Sequence, residues 1–302
     1  MALAAITIFC NEGFRITKWQ EYYNEYKDAI ALHIIVDNNS TDEETAKMRE
    51  AFPDSKHIKL SYNGGVTVAY NTGVKEALTD PSIDAVMLIC NDIKISAESI
   101  LELYNSLDET RRIGMVTPAL LKKNSDIVEE GGSTISFFLF MKPQYVGEKY
   151  ETMPKENPIV KSVAGGINMA SREFYESVGG QDEELFMYSD EIDVGLKAEL
   201  KGYKMMLVRS AKAWHQHENP KGKKKRSVMS DYLMARNKVY LAKKYFGTYR
   251  MLLTFCFFIF LNLKRIAICV IKKREIDGHI FSLKGAWDGL RGKMGIPQFI
   301  KK

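Results

Sequence analysis

The first 120 residues alternate short apolar runs with segments whose apolar residues recur at helical spacing. Short runs of β-branched and aliphatic residues are typical of buried strands, and the intervening periodicity is typical of amphipathic helices. The predicted strands are 3–10, 33–37, 57–61 and 85–90, and helices are predicted at 41–52 and 65–78. Strands that alternate with helices predict βαβ units and a mostly parallel sheet flanked by helices, which is an α/β fold.

The pattern changes after residue 112. Residues 113–163 are irregular, with Gly and Pro punctuation, and the aromatic run 137–140 is expected to line a pocket or an edge. Further strands are predicted at 167–170 and 204–208, and further helices at 172–178, 190–201, 230–246, 249–274 and 278–291. We therefore predict one globular domain over 1–220 and a helical tail over 221–302.

Charge is divided unevenly between these regions. Residues 1–200 carry 19 Lys and Arg against 33 Asp and Glu, whereas residues 201–302 carry 24 against 5. An acidic body with a basic tail, including the basic loop 221–226, suggests an anionic partner for the tail. The four scattered cysteines form no CxxC pair, which is typical of a reducing compartment.

The tail contains an uncharged run of 13 residues, 251–263, flanked by Arg250 and by Lys264 and Arg265. A helix that spans a bilayer needs roughly 20 apolar residues. An amphipathic helix that lies in the plane of the membrane, held by anionic headgroups, fits this run better. The alternative is a core helix that packs on the globular domain.

Two carboxylates follow predicted strands. Asp37 ends the strand 33–37, and Asp92, preceded by Asn91, follows the strand 85–90. Ligands of open α/β sheets bind beyond the carboxyl ends of the strands. One carboxylate would accept hydrogen bonds from a base or ribose, and the other would hold Mg²⁺ or Mn²⁺ across a diphosphate. The alternative is that residues 37–42 only turn the chain and cap the helix that follows. Ser40 is the residue predicted to open that helix.

A turn rich in glycine and asparagine, 62–73, joins a predicted strand to a predicted helix. Glycines there would allow backbone N–H groups to approach an anion at the start of a helix. The turn has neither GxGxxG spacing nor a Walker lysine. A tight turn with small residues for packing is therefore the alternative.

Three carboxylates, Asp190, Glu191 and Asp193, open a predicted helix. The helix dipole favours acids there, Ser189 is suited to cap the helix, and Asp193 stands four residues before Lys197, the spacing of a helical ion pair. The cluster also follows apolar and aromatic residues. A partly desolvated acid gains basicity and can accept a proton from a hydroxyl group.

Two histidines, His215 and His217, follow Trp214. Each is interpreted as a solvated loop residue or as a ligand to a metal or diphosphate. Zinc is not expected, because no cysteine or further histidine stands at a suitable spacing.

Taken together, these segments resemble the inverting glycosyltransferases of family 2, which have the GT-A fold, and in particular their bacterial polysaccharide branch with rhamnosyltransferase-like members. Four motifs carry the resemblance, in order: 35–42, 63–73, 88–92, and 178–194 followed by 202–204. Cys90 stands where the family's DxD motif has its first aspartate. The resemblance covers about residues 3–220, with weaker similarity at Arg236 and Asn237.

The resemblance implies a GT-A catalytic domain over 1–220, with a nucleotide-binding half at 1–120 and an acceptor half at 121–220. It also implies transfer of a sugar from a UDP- or dTDP-sugar, with dTDP-rhamnose among the candidates, to a hydroxyl of a growing glycan or lipid-linked acceptor in cell-surface polysaccharide synthesis. The implied cofactor is Mg²⁺ or Mn²⁺. The implied location is the cytoplasmic face of an anionic membrane. Nucleic acid is not an expected partner, and a homodimer is left open.

The resemblance also assigns roles to residues of this chain. The predicted donor-binding residues are Asn11, Asp37, Asn39, Asn63, Gly65, Asn71, Gly73, Asn91 and Asp92. The predicted sugar and acceptor pocket contains Gly165, Gly166, Asp182 and Asp193. Asp92 is the predicted metal ligand, with His215 as a second candidate. Glu191 matches the catalytic base without a gap, and Asp190 is the alternative because a one-residue difference in helix phase would exchange them.

We therefore expect Asp37, Asp92 and Glu191 to meet at one end of a single sheet. Two other classes of protein remain as alternatives. A sugar nucleotidyltransferase would share the fold and the metal, but residues 11–15 are not its Gly-rich loop with Arg and Lys. A non-catalytic protein that binds membranes or nucleic acid would account for the basic tail but not for the acidic body.

Overall fold

The computed structural model describes residues 2–216, 228–297 and 299. The basic loop 221–226 and His217 lie outside these described residues. The described chain forms two compact units: the first contains 2–135, 141–181 and 194–216, and the second contains 136–140, 182–193, 228–297 and 299. The second unit thus groups two short segments from before residue 220 with the helical tail.

The secondary structure contains the predicted alternation of strands and helices. The described strands are β1 (Leu3–Phe9), β2 (Leu32–Asp37), β3 (Lys56–Lys59), β4 (Ala85–Ile89), β5 (Ile93–Ile95), β6 (Ile113–Lys122), β7 (Val128–Glu130), β8 (Ser133–Ile135), β9 (Met141–Pro143), β10 (Ile159–Val160), β11 (Ile167–Ser171) and β12 (Lys204–His215). The described α-helices are α1 (Ile16–Asn24), α2 (Asp42–Ala51), α3 (Gly65–Ala77), α4 (Ala97–Asn105), α5 (Arg172–Val178), α6 (Asp190–Leu200), α7 (Val228–Ile271) and α8 (Asp277–Leu290).

The first unit is built on a mixed sheet with the strand order β10-β12-β6-β11-β4-β1-β2-β3. Strands β4, β1, β2 and β3 run parallel to one another, as predicted. Phe9 lies opposite Asp37, and Ile6 lies opposite Leu88. The carboxyl ends of β2 and β4 therefore lie at the same edge of the sheet, on either side of β1.

Both faces of the parallel strands are buried. Ala4 and Ile6 of β1 belong to one apolar cluster, whereas Leu3 and Ala5 belong to another. Successive side chains of a strand point to opposite faces, so the two clusters lie on opposite sides of the sheet. A sheet covered on both faces needs apolar residues at successive positions, which explains why the runs were recognisable in the sequence.

The strand predictions were least accurate where a strand contains glycine or proline or has an irregularity in its register. The segment predicted as irregular includes the 10-residue strand β6. This strand contains Gly114 and Pro118, residue types that usually interrupt strands. Strand β12 continues to His215 instead of ending at residue 208, after an irregularity in register between Val208 and Lys212. The prediction that β12 ends at 208 was therefore wrong, and the interruption explains the error.

The second unit contains α7 and α8, which pack closely. A Cβ atom added at Gly285 would lie 2.0 Å from the carbonyl oxygen of Tyr232, and one at Gly289 would lie 2.4 Å from that of Arg236. Glycine therefore allows α8 to approach the backbone of α7. Helix α7 is broken at Gly247, where φ is 83°, which confirms the predicted division into two helices.

The aromatic run 137–140 packs on the second half of α7. The rings of Phe138 and Phe257 are stacked with centroids 4.2 Å apart, and those of Phe140 and Phe258 are 5.6 Å apart. The run was expected to line a pocket or an edge. The structure shows instead that Phe138 and Phe140 pack on an apolar helix of the tail.

Candidate active site

Asp37 is buried and orders the turn that follows β2. One carboxylate oxygen accepts the N–H of Ser40 at 2.7 Å, and the other accepts the hydroxyl of Thr45 at 2.5 Å. Within this turn Asn39 is exposed and has a left-handed backbone, with φ of 66°. Asp37 therefore holds a turn that presents Asn39 at the surface.

Ser40 connects the loop after β1 to the loop after β2. Its hydroxyl accepts the N–H of Asn11 at 2.9 Å, and Asn11 Oδ1 accepts the N–H of Thr41 at 2.9 Å. Thr41 caps α2, because its hydroxyl accepts the N–H of Glu44 at 3.3 Å. The prediction that Ser40 opens α2 was therefore wrong, since Ser40 is used to join two loops.

The loop after β1 also reaches the loop after β4. Asn91 donates from Nδ2 to Glu12 Oε2 at 2.6 Å, and the Arg15 guanidinium lies 2.5 Å from Asp92 Oδ2. The loops that follow β1, β2 and β4 are thus linked by hydrogen bonds at one edge of the sheet. The sequence prediction placed Asn11, Asp37, Asn91 and Asp92 there but missed Glu12 and Arg15.

His215 lies between two carboxylates. Its Nε2 lies 3.4 Å from Asp92 Oδ1, and its Nδ1 lies 3.0 Å from Glu129 Oε1. The residue ends β12, in register with Ile93 of β5, which places it beside Asp92. The interpretation of His215 as a solvated loop residue was therefore wrong.

These contacts shift the ionisation of both partners. Burial alone would raise the pKa of Asp92, but the hydrogen bonds from His215 and Arg15 hold this pKa below its ordinary value. Burial alone would lower the pKa of His215, but its bonds to Asp92 and Glu129 raise that pKa to about 9. Asp92 is therefore an ionised carboxylate at neutral pH.

The donor set beside Asp92 fits a divalent cation. Asp92 offers carboxylate oxygen. His215 is protonated at neutral pH between its two carboxylates, so it would offer imidazole nitrogen only when a cation displaces the proton on Nε2, and Glu129 on the other ring nitrogen would then orient the ring. No group of three or more His, Cys, Asp or Glu residues forms a metal cage within the described part of the chain. Mg²⁺ needs no such cage, because it keeps waters and binds substrate phosphates.

The turn at 62–73 is held by asparagine side chains. Asn38 Oδ1 accepts the N–H of Gly64 at 2.9 Å, and Asn63 Oδ1 accepts the N–H of Gly65 at 3.0 Å. Asn38 also donates to Asn63 Oδ1 at 3.0 Å, which joins this turn to the turn ordered by Asp37. Gly65 has φ of 76° at the start of α3, a conformation that favours glycine.

Asn71 and Gly73, both predicted to bind the nucleotide, serve the packing of α3. The Asn71 amide exchanges two hydrogen bonds of 2.8 Å with the backbone of Gln181. A Cβ atom at Gly73 would lie 2.4 Å from Ile6 Cγ2, so glycine allows α3 to approach β1. These contacts support the alternative in which this end of the segment 62–73 serves packing and does not bind the nucleotide.

Gly165 and Gly166 precede β11 and lie beside the end of β4. The carbonyl of Gly166 accepts the N–H of Cys90 at 2.9 Å. This bond places the glycine pair next to Asn91 and Asp92. Both glycines are partly exposed, so their backbone is accessible at this edge of the sheet.

In the second unit, Asp190 and Glu191 open α6 after a turn in which Phe186, Tyr188 and Ser189 all have positive φ. Asp190 is buried, whereas Glu191 is partly exposed. Burial raises the pKa of both carboxyl groups, and the charge of Glu191 adds to the rise at Asp190. The prediction that Ser189 caps α6 was wrong, because its buried hydroxyl has no hydrogen-bond partner among the described residues.

Asp182 and Asp193 are joined by residues of α7. Lys244 Nζ lies 2.7 Å from a carboxylate oxygen of each aspartate. The hydroxyl of Tyr240 donates to Asp182 at 2.9 Å, and that of Tyr245 donates to Asp193 at 2.5 Å. Asp193 is fully buried in this network. Sequence reasoning missed all three α7 residues, which no local pattern connects to the acidic segment.

Residues 32–179, just under half of the chain, match the family described as Glycosyl transferase family 2. The chain is 25% identical over 174 residues to the low-salt glycan biosynthesis hexosyltransferase Agl10 of Haloferax volcanii, covering 56% of this chain and 53% of the relative. It is 23% identical over 239 residues to an N-acetylglucosaminyl-diphospho-decaprenol L-rhamnosyltransferase of Mycobacterium tuberculosis, covering 72% and 76%. The chain thus spans about half the length of the first relative.

Solved structures show the same fold. The structure of GalNAc-T7 with UDP, GalNAc and Mn²⁺ matches with a TM-score of 0.64 at 15% identity, over 80% of this chain and 48% of that one. The mannosyltransferase PcManGT from Pyrobaculum calidifontis, with GDP-Man and Mn²⁺, matches with a TM-score of 0.56 at 14% identity, over 96% and 87%. The predicted GT-A fold is confirmed.

Proposed function

We propose that this chain is an inverting glycosyltransferase that moves a sugar from a nucleotide-diphosphate donor to a hydroxyl group of a glycan or lipid-linked acceptor. One observation carries the proposal: the loops after β1, β2 and β4 are hydrogen-bonded together at one edge of the sheet. They hold an ionised aspartate beside a histidine there. Carboxylate and imidazole groups at this position are suited to a donor diphosphate and its cation.

In this proposal the first unit binds the donor. The turn ordered by Asp37, with Asn39 exposed, and the Asn63–Gly65 turn contact the nucleoside. Asp92 would hold Mg²⁺ or Mn²⁺ together with His215, once the cation displaces the histidine's Nε2 proton, and Asn91 lies beside them. The cation, when bound, supplies positive charge that neutralises the leaving diphosphate. Gly165 and Gly166, next to the end of β4, border the sugar.

Glu191 is the proposed general base. Glu191 takes the proton of the acceptor hydroxyl as its oxygen bonds to the anomeric carbon. The bond from that carbon to the diphosphate oxygen breaks on the opposite face, so configuration inverts. Glu191 suits this role better than Asp190, because Glu191 is partly exposed and the charge of Lys238 partly offsets the rise in pKa that burial causes.

The donor is proposed to be a UDP- or dTDP-hexose, with dTDP-rhamnose among the candidates. The similarity to a rhamnosyltransferase over 72% of this chain supports a deoxyhexose donor, and the similarity to a hexosyltransferase of glycan biosynthesis supports a glycan acceptor. The proposed role of the chain is in cell-surface polysaccharide synthesis, and the first relative's part in glycan biosynthesis supports the polysaccharide product.

The second half of α7 is proposed to dock on the anionic cytoplasmic face of a membrane. Within the described residues α7 alone is long and apolar enough to cross a membrane, by length and composition. One side packs within the second unit through Met251 and Phe258, while Phe260 and Leu263 are 70% and 55% exposed. Basic residues follow at 264–265 and 272–274. An apolar face next to basic residues is typical of peripheral helices.

A thermal-shift panel of UDP- and dTDP-sugars, with and without Mn²⁺, tests donor binding. We expect one donor to raise the Tm by roughly 4 °C at a hundred times its Kd, and to do so more strongly with Mn²⁺. Asp92→Asn is expected to remove the part of the Tm rise that depends on Mn²⁺, whereas the surface control Asp80→Asn retains it. A panel without any shift, or a Mn²⁺ effect that survives Asp92→Asn, contradicts the proposal.

The pH dependence of kcat tests whether Glu191 is the general base. A base must be deprotonated to act, so activity is present above its pKa and is lost as the pH falls through it. Because burial raises the pKa of Glu191, we expect the acidic midpoint above the ordinary value of 4.5. Glu191→Gln lowers kcat by about 10² to 10⁴-fold, and Asp190→Asn by less than about 10-fold. Full turnover in both variants would show that neither residue is the base.

Vesicle sedimentation tests membrane docking. The full chain is expected to bind vesicles that contain phosphatidylglycerol and to bind pure phosphatidylcholine weakly. Replacing both Lys264 and Arg265 with Gln weakens binding about 30-fold at low salt, at about 1 kcal/mol per basic residue. The matched control Lys18→Gln with Lys47→Gln has little effect. Equal binding to both vesicle types, or binding that only the control weakens, argues against docking on anionic lipid.

A further inference from the structure

The turn that precedes Asp190 and Glu191 has an unfavourable backbone conformation. Phe186, Tyr188 and Ser189 have φ of 65°, 67° and 65°, and none of them is glycine. A non-glycine residue in this region costs about 1–3 kcal/mol, and it persists only where surrounding contacts impose it. The contacts that hold this turn therefore help to determine where the two carboxylates lie.

Asn237 of α7 supplies three of those contacts. Its Nδ2 lies 3.1 Å from the carbonyl oxygen of Leu185, 2.9 Å from that of Met187 and 2.8 Å from that of Tyr188. A single amide group thus gathers three carbonyls of the strained turn. Asn237 is fully buried, so water does not compete for these bonds.

Arg236 fixes the orientation of that amide. Its Nε donates to Asn237 Oδ1 at 3.0 Å, which directs the Nδ2 side of the amide toward the turn. Its Nη2 donates to the carbonyl of Leu185 at 2.9 Å, and its Nη1 donates to that of Gly295 at 2.7 Å. The side chain is 1% exposed. The planar guanidinium can make these bonds together because its donors are arranged in a rigid fork.

We propose that Arg236 and Asn237 are positioning residues for the general base of the sugar transfer. They hold the turn 185–189 in its strained form and thereby fix the first turn of α6, which carries Asp190 and Glu191. This inference rests on the proposed function, because it assigns the base to that pair of carboxylates. It gives the first half of α7 the task of holding the turn on which the general base depends.

Two variants weaken the contacts without adding buried charge. Arg236→Lys retains the positive charge but cannot bond to Asn237, Leu185 and Gly295 together. Asn237→Ser removes the amide and provides the same readout if the lysine variant does not fold. The assay is release of UDP or dTDP from the donor identified by thermal shift. We expect kcat to fall about 10- to 100-fold with the donor KM changed less than about 2-fold, because donor binding lies in the first unit.

Asn262→Ser provides a matched control. Asn262 is another buried asparagine of α7, and its Nδ2 bonds to Ser282 at 3.1 Å and to the carbonyl of Phe258 at 2.8 Å. This variant is expected to lower the Tm with kcat unchanged. A kcat loss in Asn262→Ser as large as that in Asn237→Ser would show that the effect is general destabilisation, and would overturn the proposal.

A double-mutant cycle separates positioning from other roles. If Arg236 acts through the base, Arg236→Lys in the Glu191→Gln background costs less than about 2-fold further in kcat. A loss as large as in the wild-type background would overturn the positioning role and leave the proposed function intact. Failure of the wild-type chain to release nucleoside diphosphate from any donor in the panel would instead refute the proposed function, and the positioning role with it.

Discussion

Buried carboxylates need hydrogen-bond donors, and this need determines how the loops of both units are arranged. Removing a carboxylate from water costs several kcal/mol unless donors replace the lost water. Asp37 takes its donors from its own turn and from α2, and Asp92 takes them from Arg15 and His215. Arg15 follows β1 and His215 ends β12, so Asp92 ties both to the loop after β4. Ser40, in the turn that Asp37 orders, bonds to Asn11 and so joins the loops after β1 and β2.

The parallel core and the residues at its strand ends were predictable because their signals are local. Continuous apolar runs identify strands buried on both faces, and a carboxylate directly after such a run must lie at the sheet's edge. The partners of those carboxylates were not predictable. Arg15 and Glu129 come from distant parts of the chain, and His215 was reached only through a strand that continues past an irregularity. The glycine at position 73 is explained by the close approach of α3 to β1, and sequence spacing does not reveal such packing.

The sequence predicted the helical tail as an appendage, but the structure groups residues 182–193 with its helices. The contacts responsible join residues that are far apart in sequence: Lys244 pairs with Asp182, and Asn237 bonds to the turn before α6. The sequence offered only a weak similarity at Arg236 and Asn237. The strained turn explains their burial, since a backbone conformation that is unfavourable locally requires donors from elsewhere in the fold.

Placement of the donor diphosphate beside Asp92 and His215 is tested most directly by pulsed electron paramagnetic resonance of Mn²⁺ bound to the protein with UDP or dTDP. The proposed site predicts ³¹P coupling from the diphosphate together with ¹⁴N coupling from an imidazole. Replacing His215 with Ala should remove the nitrogen coupling alone. Mn²⁺ that binds with the nucleotide but shows no nitrogen coupling, or shows one that persists without His215, would place the cation elsewhere and contradict the proposed site.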